Sequence, residues 1–197
     1  MPTLPATRKT RATYQGLVEA TREVVRRTGT LLPEGVAEVA GVSPATLYAY
    51  FGSKDALLAA AFDAALAQIG EEVAGILTVE DLLEQGWEVT ARQLVRTVVK
   101  RFTHDARLVR LSVARLPDSK DVIEVYRRRG EEQLEMIARF VRLGVAAGKL
   151  RNGDVAVLSR SLMVILQGLQ NPMVLHSGAG PLVEELGRTV YRLLAPD

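Results

Sequence analysis

Apolar positions along this chain recur with helical spacing almost throughout, and no Val/Ile/Thr/aromatic run alternates with period two between turn clusters. The pattern predicts an all-α protein. Residues 1–9, with Pro2, Pro5, Arg8 and Lys9, read as a loose arm. From about Thr10 to Thr28, Leu17, Ala20, Val24 and Val25 fall on one stripe, and Gly29 supplies a C-cap. Pro33 opens a short helix to about Ala40, and Gly41 breaks it. Ser43-Pro44 restarts the chain as N-cap and first helical residue, and Gly52-Ser53 breaks it again. A longer helix is predicted from Lys54 to about Ala74. Thr78 caps another, from Val79 to Phe102. A short one covers Asp105 to Arg115 and stops at Pro117. A long one, opened by Asp118 or Ser119, reaches about Ala147 and ends at Gly148. Asp154 caps one running to about Gln170, and the last follows Gly180-Pro181 and reaches Leu194.

Length and composition narrow the class. The chain has 197 residues, 48% of them apolar and 24% charged, which suits one domain or two small ones of ordinary globular protein. Cys is absent, which excludes disulfides, zinc ribbons and a thiol nucleophile and suits a reducing cytoplasm. The longest apolar run, Ala56 to Phe62, is far below the ~18 residues of a membrane span. The N-terminal MPTLPATRKTRAT has no apolar signal core, so secretion is not expected. His104 and His176 are too sparse for a His-based metal site, and no cofactor is expected. Residues 1–54 carry seven Lys/Arg against four Glu, whereas the remainder is near neutral. This asymmetry fits a polyanion partner or chance alike.

Candidate chemistry concentrates in VAEVAGVSPATLYAYFGSK, residues 36–54. Two helices joined by a tight Gly-containing turn make a helix-turn-helix. Such a unit needs a small residue where the helices cross (Ala37), a turn residue free to take positive φ (Gly41), a plug between the helices (Val42), and core residues four apart (Leu47 and Phe51). That leaves Pro44, Ala45, Thr46, Tyr48 and Tyr50 on the outward side, an arrangement suited to a DNA major groove. Tyr48 and Tyr50 read equally as half-buried packing aromatics, Lys54 as a solvated charge, and Arg8 to Arg11 as a solubilising tail.

Residues 36–62, with AGVSPATLYAYFGSKDALLAAAF at 40–62, resemble the DNA-binding domain of TetR-type transcriptional regulators. The resemblance covers roughly residues 8–65. It implies a helix-turn-helix domain over 8–55 and a helical ligand-binding and dimerisation domain over 56–197. It places the base-reading turn on Pro44, Ala45 and Thr46, after the Ser43 cap, and phosphate contacts on Tyr48, Tyr50 and Lys54. Apart from the resemblance, Arg8, Lys9 and Arg11 are candidates for an arm reaching phosphates or the minor groove. Lys54 follows Ser53 at a helix start, where free N–H groups favour a phosphate oxygen. The chain departs from the family pattern at Thr30-Leu31-Leu32-Pro33, where a Ser or Thr cap is usual. Glu34 and Glu38 on the same helix are unfavourable near DNA unless they face away.

The helix near 154–170 is apolar on nearly all sides, which predicts burial on two sides. A two-fold dimer through a four-helix bundle is expected, using Leu158, Leu162, Ile165 and Leu169 with Leu186, Val190 and Leu193 of the last helix, whose wet face pairs Glu184 with Arg188. A monomeric bundle with this helix at its centre is the alternative. Phe62, Trp87, Phe102, Tyr126, Met136, Met163 and Gln167 are candidates for an apolar effector cavity, or plain core. The expected function is a cytoplasmic, homodimeric, sequence-specific regulator binding double-stranded DNA, a repressor released by a small hydrophobic effector, with activation left open. A helical ligand carrier that ignores DNA is the rival. P-loop, H-E-x-x-H and G-x-S-x-G motifs are absent, so an enzyme is not expected.

Overall fold

The computed structural model describes residues 8–175 and 179–196. Among them are nine helices and no strands. They are α1 (Arg8–Thr28), α2 (Pro33–Val39), α3 (Pro44–Phe51), α4 (Lys54–Ile76), α5 (Val79–His104), α6 (Ala106–Arg115), α7 (Lys120–Ala146), α8 (Val155–Gly168) and α9 (Gly180–Leu194). His176 lies outside the described residues. The chain divides into two compact units, Met1–Ala67 with Asp105–Arg129, and Gln68–His104 with Gly130–Asp197. The first unit therefore takes in α6 and the start of α7 as well as the N-terminal helices.

In the first unit, Leu17, Ala20, Val24 and Val25 line the inner stripe of α1, and Thr21 among them donates its hydroxyl to the Leu17 carbonyl at 2.7 Å, so its burial leaves no orphan. Helix α6 is tied to α1 at two points. The buried Arg22 guanidinium donates to Asp105 at 3.0 Å. Arg107 donates to the carbonyls of Arg26 (2.9 Å) and Arg27, satisfying acceptors that the helix end leaves open. Its far end is tied to α4, where Arg115 donates to both Asp55 oxygens at 2.9 and 3.2 Å. Asp63, one face further along α4, receives Arg128 and Arg129 of α7.

The second unit is built on α5 and α9. Helix α5 is not continuous: Gly86 sits at φ 78°, ψ 166°, which only glycine adopts without strain, and the axis breaks there. Trp87 then turns inward, packs against Phe140 with ring centroids 5.8 Å apart, and donates Nε1–H to the Tyr191 carbonyl at 2.9 Å. Helix α9 lies close against α5 at Gly187, where a Cβ would stand in ordinary van der Waals contact with the Arg92 Cα at 3.5 Å. Glu184 of α9 receives Arg96 of α5 (3.0 and 2.7 Å), and Arg188 pairs with Glu185, so the expected Glu184–Arg188 pair does not form. The across-helix partner is better placed, since a guanidinium can reach one carboxylate oxygen through two N–H groups. Asp154 caps α8 by accepting from the amides of Ala156 and Val157.

Candidate nucleic-acid interface

The turn between α2 and α3 follows from four residues. Ala37 is buried at the crossing. Gly41 takes φ 66°, the Gly41 amide donates to Glu38 at 3.1 Å and the Val42 amide to Ala37 at 3.0 Å, a Schellman closure of α2. Ser43 is extended (φ −76°, ψ 153°), and its Oγ accepts the Thr46 amide at 3.1 Å, while Pro44 occupies the first turn without needing its missing N–H. Leu47 and Phe51 point inward, with Phe51 stacked on Tyr14 of α1 at 5.0 Å. Burial, and secondarily the charge of Asp63, pushes the Tyr14 phenol pKa up, so the ring stays neutral where it packs.

The opposite side of α3 is open. Ser43, Pro44, Ala45 and Tyr48 are exposed, and Thr46 and Tyr50 are half-buried. Tyr48, at 41% exposure, is not a core aromatic. The Thr46 hydroxyl lies 2.9 Å from Ser43 Oγ, so it both belongs to the cap and faces outward. Beyond Gly52, Ser53 Oγ accepts the Ala56 amide at 3.0 Å and caps α4, leaving Lys54 exposed in its first turn. Arg11 is exposed on α1, and the Arg8 side chain lies outside the described residues. Helix α2 has no side-chain cap at Leu32, as the Thr30-Leu31-Leu32-Pro33 run predicts, and Glu34 and Glu38 are exposed on it.

The effector candidates separate. Phe102, Met136, Met163 and Gln167 come together with Val98 and Ile137 around a cavity of about 30 Å³ in the second unit. Trp87 is absorbed by Phe140 and the Tyr191 carbonyl instead, while Phe62 (buried) and Tyr126 (half-buried) belong to the first unit and do not line that cavity. The dimer candidates separate too. Leu158, Leu162, Leu169 and Val190 are buried within their own chain, and Ile165, Leu186 and Leu193 are half-buried. The apolar positions left exposed on these helices are Val157 (57%), Val164 (66%) and Leu182 (39%), which periodicity alone does not single out. Among the described residues no helix is long and apolar enough to cross a membrane, and no cluster of His, Cys, Asp and Glu could hold a metal ion.

Residues 17–61 match the family model described as bacterial regulatory proteins, tetR family. No curated protein matches the chain. Several solved structures share its fold. A putative TetR-family transcriptional regulator from Mesorhizobium loti MAFF303099 is 20% identical, with 95% of each chain covered and a TM-score of 0.74. A TetR transcription regulator from Haloarcula marismortui ATCC 43049 is 19% identical, with 92% of this chain and 96% of that one covered and a TM-score of 0.75. Reduced E. coli NemR is 16% identical, with 93% and 98% covered and a TM-score of 0.74. The capped turn and open face of α3 thus lie within an N-terminal domain of the tetR family of bacterial regulatory proteins, carried on a chain with the fold of solved TetR-family regulators.

Proposed function

We propose that this chain is a sequence-specific regulator that binds double-stranded DNA as a homodimer in the cytoplasm, represses by occupying its site, and is released by a small hydrophobic effector. One observation carries the DNA reading: α3 presents a capped first turn whose outer residues are open, with exposed Lys54 at the capped start of α4 beside it. Residues 8–55 would read DNA. Pro44 and Ala45 offer apolar contact to a thymine methyl, Thr46 a hydroxyl and a methyl, and Tyr48, Tyr50 and Lys54 grip phosphates, with Arg11 and Arg8 extending the grip. So thin a direct code leaves part of the specificity to DNA shape.

Residues 56–197 would pair the two copies and bind the effector. Val157 and Val164 lie seven apart on one face of α8, and Leu182, Leu186 and Leu193 follow one stripe of α9, so a second copy would cover both. The effector would enter between Phe102, Met136, Met163 and Gln167. At about 30 Å³ that cavity holds little more than a water molecule, so it must open to admit a ligand, and opening is the change that would pivot α4 and misspace the two reading heads. A ligand achieves this only by binding the open state better, typically by on the order of 1–3 kcal/mol. Catalysis has no part in this function.

The test is selection of bound DNA from a random pool, followed by affinity measurement across salt. A steep loss between low and physiological salt is expected, because the grip runs through phosphates. Indifference to every duplex even in dilute buffer would overturn the reading in favour of a ligand carrier.

A further inference from the structure

A cavity far roomier than the effector candidate of the second unit stands apart from it. It lies within the first unit, where the α1–α2 connection, the first turns of α4 and the end of α6 meet, and it measures about 340 Å³. Small-molecule sites generally fall at about 300–1,000 Å³ and combine apolar walls with a few polar groups. This one has that constitution. Leu31 and Leu58 are buried beneath it and Leu111 forms a third apolar wall, while Thr30 and Lys54 stand exposed at its rim. Its two remaining lining residues, Asp55 and Arg115, are bonded to each other, so the Asp55 charge is already answered and Lys54 leaves the rim cationic on balance.

We propose that this cavity is a second ligand site, for a small organic anion with an apolar body: the body lies on Leu31, Leu58 and Leu111, and the carboxylate or sulfonate head sits at Lys54. Occupancy and DNA binding then compete for one ammonium group. The anion weakens DNA binding directly, by withdrawing a phosphate contact next to α3, and needs no opening of the second unit. The binding claim stands alone; the competition rests on the phosphate role proposed for Lys54.

4-Phenylbutanoate is a suitable probe, with 4-phenylbutanol as its neutral counterpart, titrated calorimetrically into the DNA-free full-length protein. One site per chain is expected, with the alcohol weaker by about tenfold, the loss of one charge-assisted contact. Thr30→Trp, which narrows the exposed mouth, and Leu111→Trp, which fills the wall, should each weaken the carboxylate by at least about tenfold while helical circular dichroism is retained. Intermolecular nuclear Overhauser contacts from the probe ring to the methyls of Leu31, Leu58 and Leu111 in the wild type place the ligand without any substitution. In parallel, a saturating probe should weaken DNA binding several-fold in the wild type and leave it unchanged in Thr30→Trp. Absence of carboxylate binding, equal affinity for the alcohol, or binding that survives Thr30→Trp but is lost in Met163→Phe would each overturn the second site while leaving the regulator intact. Failure to bind any DNA would instead remove the regulator and the competition, with the calorimetric outcome still deciding the site.

Discussion

Lys54 and Thr46 lie eight residues apart but are held by different devices, and the difference predicts different losses. Lys54 is exposed at a capped helix start and offers a point charge to a backbone phosphate, which every sequence carries. Lys54→Ala should therefore weaken selected and random duplexes by the same factor and reduce the salt slope by about one. Thr46 stands within the cap of α3, with Oγ1 2.9 Å from Ser43 Oγ, so its methyl and hydroxyl are presented in a fixed orientation. Thr46→Ala should change preference at one base step and leave the salt slope alone. Quantitative gel shifts on a position-randomised panel distinguish the two, and uniform effects of both would remove the roles proposed for them. A second residue-scale consequence concerns acid. The Arg115 hydrogen bond holds the Asp55 carboxyl below its ordinary range, outweighing partial burial. A depressed carboxylate stabilises the folded chain above the unfolded-state value of about 3.9, and that stabilisation disappears as pH falls through the lower folded value. Arg115→Gln should thus lower the melting temperature near neutral pH, and the gap between variant and wild type should close as pH is taken below 3.9 towards 2.

At the scale of elements, local punctuation was legible and distant partnership was not. Gly41, Ser43-Pro44 and Gly52-Ser53 each act on their own backbone within a few residues, so the bounds of α2 and α3 and both caps follow from residue type. Gly86 also acts locally, yet a single glycine inside a helical stripe is tolerated as often as not, and nothing beside it marks the break in α5. Arg22, Arg107 and Arg115 were unreadable for another reason: their partners lie 83, about 80 and 60 residues away, and only the packing of α6 brings them together. The cavity at Lys54 depends on the same packing. Periodicity likewise showed that α8 is apolar all round without showing which side its own chain covers, which is why Leu158 and Leu162 proved internal and Val157 and Val164 exposed. The α1–α6 tie is strong enough to test. Arg22 and Asp105 are both buried, and Arg22 also pairs with Glu19 at 3.2 Å, so it is removal of Arg22 that strands a buried charge, the Asp105 carboxylate, at a cost of about 3–5 kcal/mol. Arg22→Ala should show that loss in urea denaturation, whereas the double variant Arg22→Met with Asp105→Leu should recover most of it, since an apolar replacement leaves no buried charge.

For the whole molecule, the decisive question is what covers α8 and α9. Val157 and Val164 make few demands on their own chain, being 57% and 66% exposed, whereas Leu162 is fully buried in it. The two classes respond oppositely to substitution. Leu162→Ala leaves a cavity and should cost about 2–5 kcal/mol of folding stability without altering the association state. The pair Val157→Glu and Val164→Glu places four carboxylates on a face that a two-fold partner would duplicate, so each acid would meet its symmetry copy or be desolvated unpaired. Monomers with an unchanged helical signal are expected by sedimentation. Because two heads joined in one dimer bind a repeated site far more tightly than either head alone, those monomers should lose more than about tenfold in affinity for a full site yet bind an isolated half-site as the wild-type head does. Retention of dimers in the double-Glu variant would place the interface elsewhere. Monomers that hold the full site as tightly as the wild type would mean that one copy suffices and that the half-site spacing plays no part in recognition.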